Sequence, residues 1–178
     1  GVGNTIIVSP QTGTASITWG AVPGTYQIEI IQTTFGCEGL PYYLDVTINP
    51  VPIADNQIAT VCTNTQIGVN LPAIGNNGVA ITTYDITAVI DPGLTGVATT
   101  GTGLVGVGVI AGDIFVNNTG GDLDVVYTVT PYAGTCAGPS FTVTVTITSG
   151  PTAADQLATV CTNTAIGVTL PATGTNGL

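Results

Sequence analysis

Residues 52–79 and 151–178 are two versions of one segment. PIADNQIATVCTNTQIGVNLPAIGNNGV aligns without a gap onto PTAADQLATVCTNTAIGVTLPATGTNGL, at an offset of 99 residues and with 19 of 28 positions identical. Copies this similar must fold alike, and their spacing sets the size of the folded unit. A period near 100 residues is the usual size of a β-sandwich domain. The same offset carries Cys37 onto Cys136, and Tyr42, Leu44, Val46 and Ile48 onto Phe141, Val143, Val145 and Ile147. The phase then divides the chain: residues 1–50 correspond to the C-terminal half of a repeat, 51–149 to one complete repeat, and 150–178 to the N-terminal part of a further one. Two arrangements account for a chain cut in mid-repeat. It is a window on a longer tandem array, or the terminal piece of one chain completes the initial piece of the next, head to tail, by strand complementation. The two end pieces together lack a counterpart of residues 80–99.

The period-2 pattern identifies the element type. FTVTVTITS (141–149) places Phe141, Val143, Val145 and Ile147 on one face and hydroxyls on the other, the signature of a half-buried strand. YQIEIIQ (26–32), YLDVTIN (43–49) and DVVYTVT (124–130) follow suit. Turn signals punctuate them at Pro23-Gly24, Asn77-Gly78, Asp91-Pro92-Gly93, Gly120-Gly121 and Asn176-Gly177. No segment has a helical period, so the expected fold class is all-β, a sandwich. Short Pro-bearing linkers, Asn49-Pro50-Val51-Pro52 and Ser149-Gly150-Pro151, are expected to hold neighbouring units in a semi-rigid, extended arrangement.

Charge excludes whole classes of function. The chain has no Lys, Arg or His and ten acids, a formal net charge of −10. Nothing in it neutralises phosphate, so no nucleic-acid partner is expected, nor an anionic membrane surface. The most apolar stretch, GLVGVGVIAG (103–112), falls well short of the roughly 18 residues a membrane helix needs, so no direct membrane insertion is expected. Without His there is no imidazole base or triad, and without Lys no Schiff base. The expectation is that the chain is not an enzyme.

Four cysteines in a His-free chain read as disulfides rather than a zinc site. Cys62 and Cys136 are the two within the complete repeat and are expected to form an intradomain bond, worth on the order of 4 kcal/mol for such a loop. Cys37 and Cys161 then pair with partners outside the window or in neighbouring chains. The alternatives are Cys37–Cys62 with Cys136–Cys161 across the linkers, or four buried thiols. Either disulfide pattern implies an oxidising, extracellular compartment.

Other candidate sites are weaker. Asp122-x-Asp124 after Gly120-Gly121 is a candidate for Ca²⁺, with solvated acids at a strand start as the plainer reading; no other cofactor is expected. Asp55-Asn56 near the linker is matched by Ala154-Asp155, so its register is not kept; Asp85, Asp91 and Asp113 stand singly. Asn117-Asn118-Thr119 is the one N-glycosylation pattern. Trp19 and Tyr26 suit core packing better than sugar stacking.

ITWGAVPGTYQIEIIQTTFGCEG (17–39), ATVCTNTQIGV (59–69) and CAGPSFTVTVTI (136–147) resemble the PKD-like and immunoglobulin-like tandem repeats of very large secreted surface proteins in gliding, Bacteroidetes-type bacteria. The Pro-Gly-Thr-Tyr turn into an alternating strand is shared with PKD modules generally. The chain departs from ordinary PKD domains in lacking a Trp-x-Phe-Gly-Asp-Gly segment. The resemblance implies immunoglobulin-like sandwich repeats, export to the cell surface, and a role as adhesin or filament stalk. The expected function is therefore a structural repeat unit of an extracellular fibre or adhesin stalk, self-associating or continued in a longer array. The alternative is a carbohydrate- or calcium-dependent binding module of a surface adhesin.

Overall fold

Each of the four alternating segments is a strand, because alternation leaves one apolar face that only a sheet can bury. A computed structural model describes residues 5–9, 14–20 and 22–175. They fall into two compact units, divided between Val51 and Pro52. No helix occurs among the described residues, and accordingly none is long and apolar enough to cross a membrane.

The second unit is a two-layered sandwich. Its larger layer runs in the order β10-β8-β12-β14-β7, with β13 also on β12. These strands are β7 (Gln57–Cys62), β8 (Thr83–Ile90), β10 (Gly101–Leu104), β12 (Leu123–Ala133), β13 (Cys136–Ala137) and β14 (Phe141–Thr148). All pairings are antiparallel except one: β7 lies parallel to β14, from Val143 opposite Gln57 to Thr148 opposite Cys62. The smaller layer pairs β9 (Leu94–Gly96) with β11 (Phe115–Asn117). Residues 64–71 extend it, since the amides of Asn64, Ile67, Gly68 and Leu71 donate to the carbonyls of Phe115, Asp113, Ala111 and Val107.

The core lies between the layers. Val125, Tyr127 and Val129 of β12 and Phe141, Val143, Val145 and Ile147 of β14 meet Ile67, Leu71, Ile110 and Phe115 from the other side. Each such aliphatic, fully buried, contributes about 1.5–3 kcal/mol. Residues 103–112 supply Ile110 to this core rather than any longer apolar element.

The first unit is built from β1 (Thr5–Ser9) on β2 (Thr14–Thr18), β3 (Gly24–Ile30) on β6 (Tyr42–Ile48), and β4 (Thr33–Thr34) on β5 (Cys37–Glu38), all antiparallel. Trp19 packs on Tyr26 with ring centroids 5.4 Å apart, a local aromatic contact rather than an open stacking platform. Its main hairpin repeats that of the second unit, residue for residue. β3–β6 runs from Gly24 opposite Ile48 to Ile30 opposite Tyr42, and β12–β14 from Leu123 opposite Ile147 to Val129 opposite Phe141. Every pair is displaced by the 99 residues read from the sequence. The small pairing that follows obeys the same offset: Thr33 opposite Glu38 against Tyr132 opposite Ala137. So does the bond that closes it, Gly39 N–H to Gln32 O against Gly138 N–H to Pro131 O, both 2.8 Å.

Residues 151–175 contain no strand and are exposed almost throughout, yet they keep local geometry of 52–76. Thr175 N–H donates to Thr152 O at 2.6 Å, as Asn76 N–H does to Ile53 O at 2.7 Å. Asn64 and Asn163 share the left-handed conformation (φ 59° and 63°), which Asn tolerates better than most residues. The hydroxyls of Thr65 and Thr164 donate back to the carbonyls of Cys62 and Cys161. The turns need only their own residues. A strand needs a ladder partner, and β14 serves Gln57–Cys62 alone. The turn signals at Pro23-Gly24, Asn77-Gly78, Asp91-Pro92-Gly93 and Gly120-Gly121 fall at strand starts, turns and bends; Asn176-Gly177 lies outside the described residues.

Candidate functional site

The cysteines do not form the expected bond. Cys62 stands opposite Thr148, at the C-terminal end of β14, whereas Cys136 precedes β14 and pairs with Ala133. The seven steps from Phe141 to Thr148 alone cover about 23 Å at 3.3 Å per residue, against a Cα separation of roughly 7 Å at most for a disulfide. Cys62 and Cys136 are therefore not bonded to one another in this structure, and no disulfide joins Cys37, Cys62, Cys136 or Cys161 within the chain; three of them are exposed and Cys136 is half-buried.

The other candidates have structural occupations. Asn117 is 3 % exposed. Its amide donates to Gly121 O and Ile147 O, both at 2.8 Å, and its oxygen accepts from Thr119 N–H and Oγ1. In the folded unit this side chain ties β11 to the end of β14 and is closed to a glycan. The Asp124 carboxylate accepts from Thr146 Oγ1 at 2.7 Å, while Asp122 is exposed. Among the described residues no group of three or more Asp, Glu, Cys or His is placed to hold a metal ion. Asn56 Oδ1 caps Thr142 N–H at 2.8 Å, joining the start of β14 to the chain entering β7.

Two aspartates that stand singly in the sequence are centres of half-buried networks. Asp113 accepts from Tyr127 OH (2.6 Å), Thr99 N–H (2.8 Å) and Thr99 Oγ1 (2.6 Å). Burial, with that bond to a carboxylate, pushes the Tyr127 phenol well above its ordinary range. Asp85 accepts from Tyr132 OH (2.9 Å) and Gly103 N–H (2.8 Å); that bond, more than burial, raises Tyr132. Their partners lie 14 to 47 residues away in sequence, so no local motif announces them.

What remains is a feature of backbone. Because β7 and β14 are parallel, the chain enters the second unit at one end of the larger layer and leaves it at the other. Pull the two ends, and the six-residue ladder between β7 and β14 is sheared, so its hydrogen bonds resist together rather than one after another. The entry point is locked by close contact. Pro52 is fully buried, and a Cβ on Gly138 would stand 1.9 Å from its carbonyl oxygen, so only glycine admits the entering chain there.

In the first unit the corresponding place is open. β6 pairs with β3 along one edge, and no strand occupies its other edge among the described residues. The first half of its inner face is exposed as well: Tyr42 and Leu44 are 62 % and 42 % exposed, where Phe141 and Val143 are 3 % and 0 %, while Val46 and Ile48 are half-buried.

Residues 59–151 match the family model described as PKD-like domain. No curated protein matches the chain.

Proposed function

The chain belongs to the PKD-like domain family, and from that premise we propose that it is a non-catalytic structural unit of an extracellular fibre or cell-surface adhesin stalk, as the sequence likeness to surface proteins of gliding bacteria suggests. In this reading residues 51–149 are one complete bead, 1–50 the C-terminal half of the preceding bead, and 150–178 the opening of the next. Beads are joined end to end, through a continued array or by association between chains.

The observation that supports this most is the parallel pairing of β7 with β14. A domain whose first and last strands are adjacent and parallel passes tension straight through the ladder that joins them. An antiparallel pair of terminal strands would bring both ends to one pole and peel open like a zip. The side chains buried on the inner face of β14, Val143, Val145 and Ile147, keep water from that side of the hydrogen bonds while they are strained.

Single-molecule stretching of the full chain by its two ends tests this. We expect one high-force event that releases residues 52–149, about 300 Å of chain at 3.3–3.6 Å per residue less the folded length. Replacing Ala59 by Pro, which removes a ladder donor, is expected to lower the rupture force more than it lowers the thermal midpoint. Unfolding of the second unit at a force no greater than that of a zipped sheet contradicts the reading.

A further inference from the structure

We propose that the open edge of β6 is a docking slot for residues 151–170 of a second copy of this chain, which enter as a parallel strand at Gln156–Cys161. The inference rests on the fibre reading and specifies one joint in it.

Three observations meet at this slot. The first is register. In the second unit Val143 faces Gln57 and Thr148 faces Cys62. The hairpin of the first unit reproduces that of the second at an offset of 99 residues, and so does the tail with respect to residues 52–79. Leu44 of one copy therefore faces Gln156 of the other, Val46 faces Ala158 and Ile48 faces Val160. The second is apolar surface on both sides. Ile67 and Leu71, 3 % and 2 % exposed, cover the inner face of β12–β14; their counterparts in the tail, Ile166 and Leu170, are 67 % and 80 % exposed. A partly uncovered face, open at Tyr42 and Leu44, and an uncovered cover are present in the same chain. The third is a glycine. At Gly138 a side chain is forbidden by the Pro52 carbonyl. Gly39 occupies the equivalent place, where the nearest obstacle to a Cβ is Gln32 O at 3.3 Å. Glycine there leaves room for the Pro151 carbonyl of an incoming tail.

The tail is also partly prepared for docking. The Thr152–Thr175 closure and the turn from Cys161 to Thr164 are already formed, which reduces the ordering cost of binding. The joint lacks counterparts of β8 and β9, so β3 keeps a free edge and the joint is weaker than the complete unit.

Sedimentation velocity on the full chain, under reducing conditions and across a wide concentration range, decides the matter. The chain should form head-to-tail oligomers that lengthen with concentration. Ala158→Pro lies in an exposed segment outside every strand, so it should leave circular dichroism and thermal midpoint unchanged. It should raise the concentration needed for association by about tenfold or more, through loss of a ladder donor. Gly39→Ala should do the same from the receiving side. Mixed, the two variants offer one intact tail and one intact slot, and should form dimers that grow no further. Three results overturn the inference: a wild-type chain that stays monomeric, oligomers indifferent to both variants, or a mixture that forms no dimer. Oligomers indifferent to both would leave the fibre reading standing on a different joint; a monomeric chain that still resists stretching would leave it standing as a continuous array.

Discussion

The role of a residue in this chain depends on where along a strand it falls. Cys62 and Cys136 illustrate this. Sequence separation marks them as the natural pair, but the parallel register sends one to the far end of β14 and leaves the other before its start. Cys62→Ser under non-reducing conditions should therefore change unfolding free energy by no more than about 0.5 kcal/mol, as for an exposed position; a bond closing that loop would cost about 4 kcal/mol on removal. Tyr127 makes a prediction of opposite kind. Its phenol is held above the ordinary value by burial first and by Asp113 second. An unfolded tyrosine ionises near pH 10, so above that the unfolded chain binds fewer protons than the native one and stability falls as pH rises; below it this contribution is fully present. Denaturant melts between about pH 8 and pH 11.5 should show that decline, and Tyr127→Phe should make it shallower, leaving the part that Tyr84 and Tyr132, also raised, contribute.

At the scale of elements, strands that alternate are legible and pairings that join distant segments are not. FTVTVTITS and DVVYTVT read directly as β14 and most of β12, because a period of two is set by the pleat itself. The β7–β14 ladder joins residues 86 positions apart, and nothing in QIATVC states that its partner is parallel. β9, β10 and β11 are short, and the first two carry glycine, so they have too little alternation to stand out. Asn117 looks like a surface acceptor because its motif is local, while its two carbonyl partners come from the fold. Gly138 is a further case: its importance comes from Pro52, 86 residues upstream. Gly138→Ala should force the entering chain aside and cost about 1–3 kcal/mol, as overpacking generally does. The same change at Gly39 should leave the stability of an unassociated chain nearly unaltered, and paired thermal melts at low concentration measure the difference.

The whole molecule combines a strongly apolar interior with a surface whose charges have one sign. Ten acids and no base keep copies apart near neutral pH by mutual repulsion, while leaving no cationic side chains to be desolvated when strands meet. Acidification toward the isoelectric point of about 4.1 removes that repulsion and should bundle the chains laterally. Light scattering that stays flat from about pH 7 to pH 3.5 would show that charge is not the solubilising device. In the reading we propose, the PKD-like residues 59–151 and the 99-residue recurrence of register belong to a bead made to be strung, with a closing strand that each bead requires. A three-dimensional reconstruction of the native assembled material tests that claim most directly. It should show an ATVCTNT-type strand lying parallel on the outer edge of residues 42–48, one turn before every linker; a bare edge there, or one covered by an antiparallel strand, would contradict it.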